Sequence, residues 1–376
     1  MESITRTLER SIVSRLFKGK AIVIYGPRRS GKTTLCKKII SKYKNFKYFL
    51  CDNPDVKEAL TDKNSTELRN FLGDSELVVL DEAQNVRNIG VTLKILVDTY
   101  PELQIIATGS SSFDLANNIV EPLTGRKYEF ELFPLSYAEI VQFEGVLEAK
   151  RNLEKILRYG LYPDIYMHSD GLEQELIEEI KSSYLFKDIL SYQEIKNSEA
   201  LAKLLQMLAL QIGSEVSYSE LAQKIGIDVK TVQKYVDLLE KIFVIKRLPA
   251  LSRNMRNEIS KSRKIYFYDL GIRNALIRNF NPLEIRQDVG GLWENFCVME
   301  KIKNISNHRK FANFYFWRTW EQQEVDFIVE KDGKFEAFEF KWSDKKISAP
   351  AKFFELYPNS TWEVVNRENF EKFLSN

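Results

Sequence analysis

The sequence predicts an α/β fold at its N-terminus, in which a parallel sheet carries helices on both faces. Short apolar runs alternate with helical patterns up to about residue 145, and this alternation is typical of parallel sheets. From residue 198 the order is helix, helix, tight turn, helix and hairpin, which is the order of a winged helix. After residue 268 a helical pattern precedes three strand candidates, so we expect an α+β end domain. The predicted domains are 1–145, a helical connector at 146–197, a winged helix at 198–268 and the end domain at 269–376.

The N-terminal elements are predicted by short local patterns. Apolar residues spaced four apart indicate an amphipathic first helix that ends near Gly19, and they are Ile4, Leu8, Ile12 and Leu16. Apolar runs of strand type occupy 21–25, 47–51, 77–80 and 104–108, and helical patterns occupy 32–42 and 90–100. The run 130–144 closes this part of the chain.

Composition excludes several classes of protein. The 376 residues suggest two or three domains, and 44% hydrophobic with 29% charged residues is typical of globular chains. Three cysteines without a CxxC pair and only two histidines argue against a disulfide scaffold, a thiolate zinc site and most histidine-based hydrolases. No apolar run approaches the roughly 18 residues of a membrane span, and the N-terminus lacks a signal-peptide pattern, so we expect a cytosolic protein without membrane contact.

A glycine-bearing loop directly follows the first strand and begins the next helix. It fits the pattern G-x-x-x-x-G-K-[ST] in full. Glycines let backbone N–H groups surround a phosphate, and the start of the helix favours negative charge. We expect Lys32 to reach the outer phosphates of ATP and Thr33 to bind Mg²⁺. The predicted nucleotide-binding residues here are Gly26, Pro27, Arg28, Arg29, Ser30, Gly31, Lys32, Thr33 and Thr34.

Two carboxylates follow the buried strand at 77–80. Asp81 is predicted to complete the Mg²⁺ shell, and Glu82 to polarise the water that attacks the γ-phosphate. Downstream of a complete phosphate loop, this acid pair indicates hydrolysis and not only binding. The expected reaction is Mg²⁺-dependent ATP hydrolysis, with Lys32 and Glu82 as its catalytic residues.

Two further residues are candidates for contact with the nucleotide. Ser110, after the strand at 104–108, has a hydroxyl that could sense the γ-phosphate, or it could instead cap a helix. Arg126 could supply positive charge to a nucleotide in its own chain or in a neighbour's, or it could be an ordinary surface arginine. A role in trans would require a homo-oligomer.

Together these motifs resemble a known family. The segments GPRRSGKTT (26–34), LDEAQ (80–84), ATGSSS (107–112), LTGR (123–126) and FPLSYAE (133–139) are similar to AAA-superfamily ATPases of archaea and bacteria that carry an additional C-terminal domain. The similarity continues through GLYP (160–163), where relatives often have a second glycine in place of Leu161, and through GLWENF (291–296). The resemblance implies an AAA-like P-loop NTPase core, a winged helix and a C-terminal domain similar to restriction endonucleases of the PD-(D/E)XK type.

The end domain contains a testable carboxylate geometry. A two-residue hairpin turn at 332–333 would place Asp326 opposite Glu339, with Lys341 on the same face. Opposed carboxylates repel unless a cation or a proton lies between them, and oxygen ligands suit Mg²⁺ or Mn²⁺. With Glu294 on the preceding helix, these residues resemble the D…(E)xK set of metal-dependent nucleases, with Glu294, Asp326 and Glu339 as metal ligands and Asp326, Glu339 and Lys341 as catalytic groups. The alternative is a salt-bridge cluster that Lys341 neutralises.

A basic connector separates the two strands of the predicted winged-helix hairpin. The formal net charge is only +2, so nucleic acid would have to meet a local patch. Residues 247–264 contain one acid and several bases, namely Arg247, Arg253, Arg256, Lys261, Arg263 and Lys264. Such a loop could contact DNA or RNA phosphates without recognising sequence. The preceding helix mixes acids with lysines, which favours signalling of the nucleotide state over burial in a DNA groove.

Three functions remain open from the sequence. The first is an ATPase that couples its nucleotide state to the winged helix and the end domain, near nucleic acid. The second adds ATP-dependent cleavage of nucleic acid at the C-terminal carboxylates. The third is a nucleotide switch or scaffold that binds ATP without hydrolysing it and recruits a partner.

Overall fold

Five parallel strands form the N-terminal sheet. In this computed structural model, the described residues are 4–110, 123–168, 171–185, 197–251, 263–319, 321 and 323–375. The strands of the sheet are β1 (Ala21–Tyr25), β2 (Phe46–Leu50), β3 (Leu77–Asp81), β4 (Gln104–Gly109) and β5 (Lys127–Glu131). Their order is β2-β3-β4-β1-β5, and every neighbouring pair is parallel. The carboxyl ends of β1, β3 and β4 therefore meet at one edge, which is the edge where open α/β sheets bind ligands.

Helices cover both faces of this sheet, as predicted. Successive residues of β1 point to opposite faces, so Val23 lies in one buried cluster and Ile22 in another. The first cluster includes Leu93, and the second includes Leu35 and Ile12. The helices of this part are α1 (Leu8–Val13), α2 (Lys32–Ile40), α3 (Pro54–Leu60), α4 (Ser65–Leu72) and α5 (Ile89–Thr99).

The first helix is shorter than the sequence predicted. It begins only at Leu8 and ends at Val13, and turns replace the helix up to residue 20. Before it, the Arg6 guanidinium donates to the backbone oxygens of Ser30 and Phe133, both at 2.6 Å, so tertiary contacts fix this segment. The four apolar positions are nevertheless all buried, because the turns still direct them to the core.

The described chain divides into two compact units. One comprises Met1–Leu135 with Lys241–Phe243, and the other comprises Ser136–Glu240 with Val244–Asn376. The finer boundaries at 145, 197 and 268 stay predictions. No described helix combines the length and the apolar character needed to cross a membrane.

The second unit begins with helices and continues into a hairpin. Helices α11 (Ser198–Leu210), α12 (Tyr218–Ile225) and α13 (Val229–Lys241) are followed by the antiparallel strands β6 (Ile245–Pro249) and β7 (Arg263–Phe267), in the order that the sequence predicted. Ser217 starts α12 by accepting a hydrogen bond from the Glu220 N–H, which is a normal N-cap. The helices of this part are α6 (Tyr137–Glu144), α7 (Val146–Arg151), α8 (Leu153–Tyr159), α9 (Pro163–Tyr166), α10 (Glu173–Glu179), α11 (Ser198–Leu210), α12 (Tyr218–Ile225) and α13 (Val229–Lys241).

A four-stranded mixed sheet forms the end of the second unit. Its strands are β8 (Asn313–Arg318), β9 (Glu324–Lys331), β10 (Lys334–Phe340) and β11 (Ser360–Val365). Their order is β11-β10-β9-β8, with β11 parallel to β10 and the other pairs antiparallel. The helices described in this part of the unit are α14 (Leu270–Leu276), α15 (Val289–Asn307), α16 (Ala351–Leu356) and α17 (Phe370–Ser375).

Two features of this sheet bear on the site. The pairing of Lys331 with Lys334 and of Phe327 with Phe338 confirms the predicted hairpin register. On the outer side of β8, Ala250 forms a parallel bridge with Phe316, and the Leu251 N–H donates to the Phe316 carbonyl at 2.7 Å. The chain after β6 therefore covers this edge of the sheet.

Candidate nucleotide site and C-terminal carboxylate cluster

The glycine loop lies between β1 and α2, at the carboxyl edge of the N-terminal sheet. A Cβ atom on Gly26 would lie 2.1 Å from the Leu132 carbonyl oxygen, so only glycine fits there. Gly31 precedes α2 with a φ of 93°, a left-handed conformation that glycine adopts without steric cost. The backbone geometry therefore requires glycine at both positions. Together the two glycines shape a loop whose N–H groups can surround an anion.

Lys32 lies buried inside this loop. The residue is only 4% exposed, and its Nζ donates to the carbonyls of Gly26 and Pro27, both at 2.9 Å. Burial lowers the pKa of Lys32 to about 8, although the carboxylates of Glu82 and Asp81 oppose that shift. The ammonium is thus held at the point where the outer phosphates of a nucleotide would meet it.

The structure brings Thr33 and Asp81 into direct contact. The Thr33 hydroxyl donates to Asp81 Oδ2 at 2.6 Å, and Asp81 is 1% exposed at the end of β3. A hydroxyl and a carboxylate oxygen are hard donors of the kind that Mg²⁺ prefers. These residues therefore fit a magnesium ion between the helix and the strand.

Two hydroxyl groups that the sequence analysis missed also bind Asp81. The Tyr48 hydroxyl donates to Oδ2 at 2.5 Å, and the Thr108 hydroxyl donates to Oδ1. Thr108 in turn accepts from the Glu82 N–H at 3.2 Å. Both residues come from the strands that flank β3, so only the strand order reveals them.

Glu82 begins the turn after β3 in an unusual conformation. Its φ is 55°, which is uncommon for a residue other than glycine and costs on the order of 1–3 kcal/mol. Its carboxylate accepts a hydrogen bond of 2.5 Å from Gln84 Nε2. Gln84 Oε1 is buried and has no hydrogen-bond partner within the described part of the chain. The turn therefore orients a carboxylate beside the phosphate loop.

The remaining loop residues differ in exposure. Arg28, Arg29 and Thr34 are exposed, whereas Pro27 and Ser30 are buried. Ser30 Oγ has no hydrogen-bond partner among the residues described. The loop thus combines an exposed basic rim with a buried polar interior.

The C-terminal carboxylates lie close together in the second unit. Asp326 on β9 accepts a hydrogen bond from the Phe340 N–H at 3.0 Å, and Lys341 donates to Glu339 at 2.7 Å. Burial and the Asp326 charge raise the pKa of Glu339. The Lys341 pKa is also raised, because the Glu339 carboxylate outweighs the effect of burial.

A buried lysine that sequence analysis assigned to the basic connector lies at the centre of this cluster. Lys264 Nζ is 3.0 Å from Glu294, 2.8 Å from Glu324 and 3.3 Å from Asp326. Burial would lower the pKa of Lys264, but these carboxylates outweigh it and raise the pKa above its ordinary value. Burial and the Asp326 charge raise the pKa of Glu294 to about 8. Tyr266 donates to Glu294 at 2.7 Å.

The basic residues at the two ends of the connector are not available to contact nucleic-acid phosphates, as we had expected them to be. Arg247 is paired with Glu240 and Asp237, and Lys264 is 2% exposed. Arg263 stacks on the Tyr218 ring at 4.6 Å. The expectation is wrong for Arg247 and Lys264, because acids of the same unit already neutralise them. Arg253, Arg256 and Lys261 lie outside the described residues.

Three protein families match successive parts of the chain. An AAA domain matches residues 18–141, and two domains of unknown function match 150–283 and 289–369. The first match spans all five parallel strands. This α/β unit fits a P-loop NTPase fold. The match and the glycine loop together support a P-loop ATPase.

Relatives from distant organisms extend over most of the chain. It is 27% identical over 329 residues to an uncharacterized protein of Mycobacterium tuberculosis, covering 87% of this chain and 71% of that protein. It is 25% identical over 352 residues to an uncharacterized protein of Methanocaldococcus jannaschii, covering 88% and 76%. Among solved structures, it is similar to the Walker-type ATPase PABY2304 of Pyrococcus abyssi, at a TM-score of 0.48, 17% identity and coverage of 73% and 96%. It is also similar to Cdc6p of Pyrobaculum aerophilum, at a TM-score of 0.29, 14% identity and coverage of 72% and 92%.

Ser110 and Arg126 lie at opposite edges of the N-terminal sheet. Gly109 pairs with Tyr25, so Ser110 follows β4 at the same edge as the phosphate loop, and it is 1% exposed. Arg126 precedes β5 at the other end, where Lys127 pairs with Ala21. The four residue-to-residue steps from Ala21 to Tyr25 separate the two edges by roughly 13 Å.

This placement corrects the prediction for Arg126 within its own chain. Because β5 runs parallel to β1, its first residues lie at the edge away from the glycine loop. There the Arg126 guanidinium binds Asp98 at 2.6 Å. The prediction that Arg126 contacts the nucleotide of its own chain is therefore wrong. A role in a neighbouring chain stays a prediction.

Proposed function

We propose that this protein is a Mg²⁺-dependent ATPase whose reaction takes place at the carboxyl edge of the N-terminal sheet. The observation that carries the proposal is the 2.6 Å contact between Thr33 and Asp81, beside the buried Lys32. A hydroxyl, a carboxylate and an ammonium at the start of a helix are the groups that a triphosphate with its metal requires.

The residues have separate tasks in this reaction. Lys32 exchanges the carbonyls of Gly26 and Pro27 for the outer phosphate oxygens of ATP. Thr33 and Asp81 would hold Mg²⁺, which neutralises phosphate charge when bound. Glu82 accepts a proton from the attacking water as the water oxygen bonds to the γ-phosphorus and the bond to the bridging oxygen breaks. Gln84 orients Glu82 for that step through its 2.5 Å hydrogen bond.

Two variants test this proposal. In Lys32→Ala, ATP affinity and turnover should both be lost, because the cation at the phosphates is gone. In Glu82→Gln, ATP binding should persist while turnover falls by about 10²–10³-fold, since only the base is removed. The measurements are phosphate release and equilibrium binding of a fluorescent ATP analogue.

The matched control is Lys44→Ala, which removes an exposed lysine of the same unit. It should leave both quantities unchanged. Wild-type turnover in Lys32→Ala would refute the assignment. Tight ATP binding without any hydrolysis by the wild-type protein, even with DNA present, would favour the nucleotide switch.

We further propose that 198–268 is a winged helix that responds to the nucleotide state. Three helices followed by an antiparallel hairpin support this assignment. Contact with DNA or RNA would then be made by the central part of the connector, since Arg247 and Lys264 already form ion pairs with acids of the same unit. ATPase rates with and without each nucleic acid test the coupling. Mass measurement with bound nucleotide tests whether a homo-oligomer forms, which a role of Arg126 in a neighbouring chain requires.

Metal-dependent cleavage of nucleic acid is the competing hypothesis for the end domain. The hairpin register supports it, because the observed pairing continues toward Asp326 and Glu339. Nicking of a plasmid with Mg²⁺ or Mn²⁺ should then be lost in Asp326→Ala. The position of Lys264 argues against this activity.

A further inference from the structure

The resemblance to nucleases implies a divalent metal held by Glu294, Asp326 and Glu339. Carboxylates this close together repel unless a cation or a proton lies between them. We infer that Lys264 permanently supplies that cation, so that the C-terminal cluster is a lysine-centred ion-pair network and binds no divalent metal. This inference is independent of the ATPase proposal, because its residues all belong to the second unit.

The hydrogen-bonding capacity of the Lys264 ammonium is fully used. An ammonium has three N–H donors, and Lys264 has three carboxylate partners within 3.3 Å, namely Glu294, Glu324 and Asp326. These partners come from α15 and β9, so the lysine ties a helix to a strand. A metal ion at this point would have to take the same oxygens.

Lys264 is also held in place along its length. Its backbone pairs with Leu248 in the hairpin and forms a bridge with Glu215, and its ammonium lies 5.8 Å from the centre of the Phe316 ring. The residue is 2% exposed. A buried ammonium cannot leave its partners without a large desolvation cost, so a metal could not displace it easily.

The oxygens that a metal would need have other partners as well. Asp326 Oδ2 accepts from the Phe340 N–H, and Glu339 is neutralised by Lys341. Tyr266 donates to Glu294. Within the described ranges, no group of three or more His, Cys, Asp or Glu side chains is arranged to hold a metal ion. The donor set of the nuclease family therefore does not fit a metal here.

The first test measures Mn²⁺ binding to the full chain without nucleotide. Electron paramagnetic resonance should give the same number of bound Mn²⁺ ions for the wild type, Asp326→Asn and Glu339→Gln. Any Mn²⁺ at the phosphate loop is common to all three proteins and cancels in the comparison. A Mn²⁺ site that is present in the wild type and absent from Asp326→Asn would overturn the inference.

The second test measures thermal stability. Lys264→Met keeps the length of the side chain but leaves the carboxylates uncompensated, so the melting temperature should fall by roughly 5 °C or more. The double variant Lys264→Met with Glu294→Gln should recover part of that loss, because it removes one of the repelling charges. The control Lys341→Met, at a side chain that is 33% exposed, should lose less.

A Lys264→Met protein as stable as the wild type would contradict the inference. If Lys264→Met does not fold, the Mn²⁺ comparison still decides, because it uses only the wild type and variants that retain Lys264.

Discussion

Asp81 accepts hydrogen bonds from three hydroxyl groups, those of Thr33, Tyr48 and Thr108. The sequence identified the first, because it belongs to a contiguous motif. It did not identify the other two, because each lies in a strand that also contains another polar residue, so nothing local marks its hydroxyl group as functional. Their role depends on β2 and β4 lying beside β3, which is a property of strand order.

Tyr48 should position Asp81 for the metal. In Tyr48→Phe, one donor to the carboxylate is lost, so Mg²⁺-dependent turnover should fall by about 5-fold, the equivalent of roughly 1 kcal/mol. ATP affinity measured in EDTA should not change, because the hydroxyl that is removed donates to Asp81 and would act through the metal. Fluorescent-nucleotide binding with and without Mg²⁺ separates the two effects.

Tyr43→Phe serves as the control, since Tyr43 packs on Phe17 in the same unit. If Tyr48→Phe lost the same ATP affinity in EDTA as in Mg²⁺, Tyr48 would support the glycine loop and would not act on Asp81.

Lys264 illustrates a different limit of sequence reasoning. It lies in a run of basic residues, which predicts solvent exposure, and its partners follow 30 and 62 residues later. The sequence predicted the register of Asp326 and Glu339 because a two-residue turn fixes pairing locally. No comparable local rule connects β7 to the cluster.

At the scale of elements, four of the five strands of the N-terminal sheet were predicted, whereas β5 and the last strand of the second sheet, β11, were not. The runs before Gly26, Asp81 and Ser110 are apolar and end at motif residues. Strand β11 is mostly half-buried, and its polar residues at 360, 361 and 363 do not alternate with apolar ones, so its strand pattern is weak. It pairs in parallel with β10 only after α16. Parallel pairing between distant segments leaves no local signature.

Asp288, the residue before α15, shares its carboxylate between two arginines. Asp288 accepts from Arg286 at 2.8 Å and from Arg273, and both arginines are buried. Burial alone would raise the pKa of Asp288, but hydrogen bonds and charge from the two arginines lower it below its ordinary value. The carboxylate therefore stabilises the fold above its unfolded pKa near 4, and this contribution is lost as pH falls through the lower folded pKa.

Asp288→Asn should reduce the free energy of unfolding by roughly 2–3 kcal/mol at pH 7, because two buried arginines lose their counter-charge. The difference from the wild type should shrink as the pH falls below about 4. Urea unfolding at several pH values measures it. Glu284→Gln, at an exposed residue nearby, should have little effect, and a pH-independent difference for Asp288→Asn would contradict the ion-pair explanation.

At the scale of the whole molecule, the three cysteines report on the two units separately. Cys36 and Cys51 lie in the first unit and Cys297 in the second, and all three are buried. Burial raises the pKa of each thiol, to about 12 for Cys51, so the native protein should react slowly with alkylating reagents.

Alkylation during a urea titration, read out by mass spectrometry of peptides, should therefore give one shared midpoint for Cys36 and Cys51. Saturating Mg²⁺-ATP should raise that midpoint, because a ligand stabilises the unit that binds it. Rapid labelling of Cys51 without urea, while Cys36 stays protected, would contradict the burial of both in one core. The Lys32→Ala variant, which should not bind ATP, is the control for the nucleotide effect.

The short segment at Ala250 and Leu251 has a practical consequence for the production of truncated fragments. It occupies the free hydrogen-bonding side of β8, and the hairpin that carries it also contributes Lys264. A fragment that started after residue 268 would present a bare strand to solvent together with a set of uncompensated acids. Such a fragment would be expected to aggregate during purification, however complete its own sheet is.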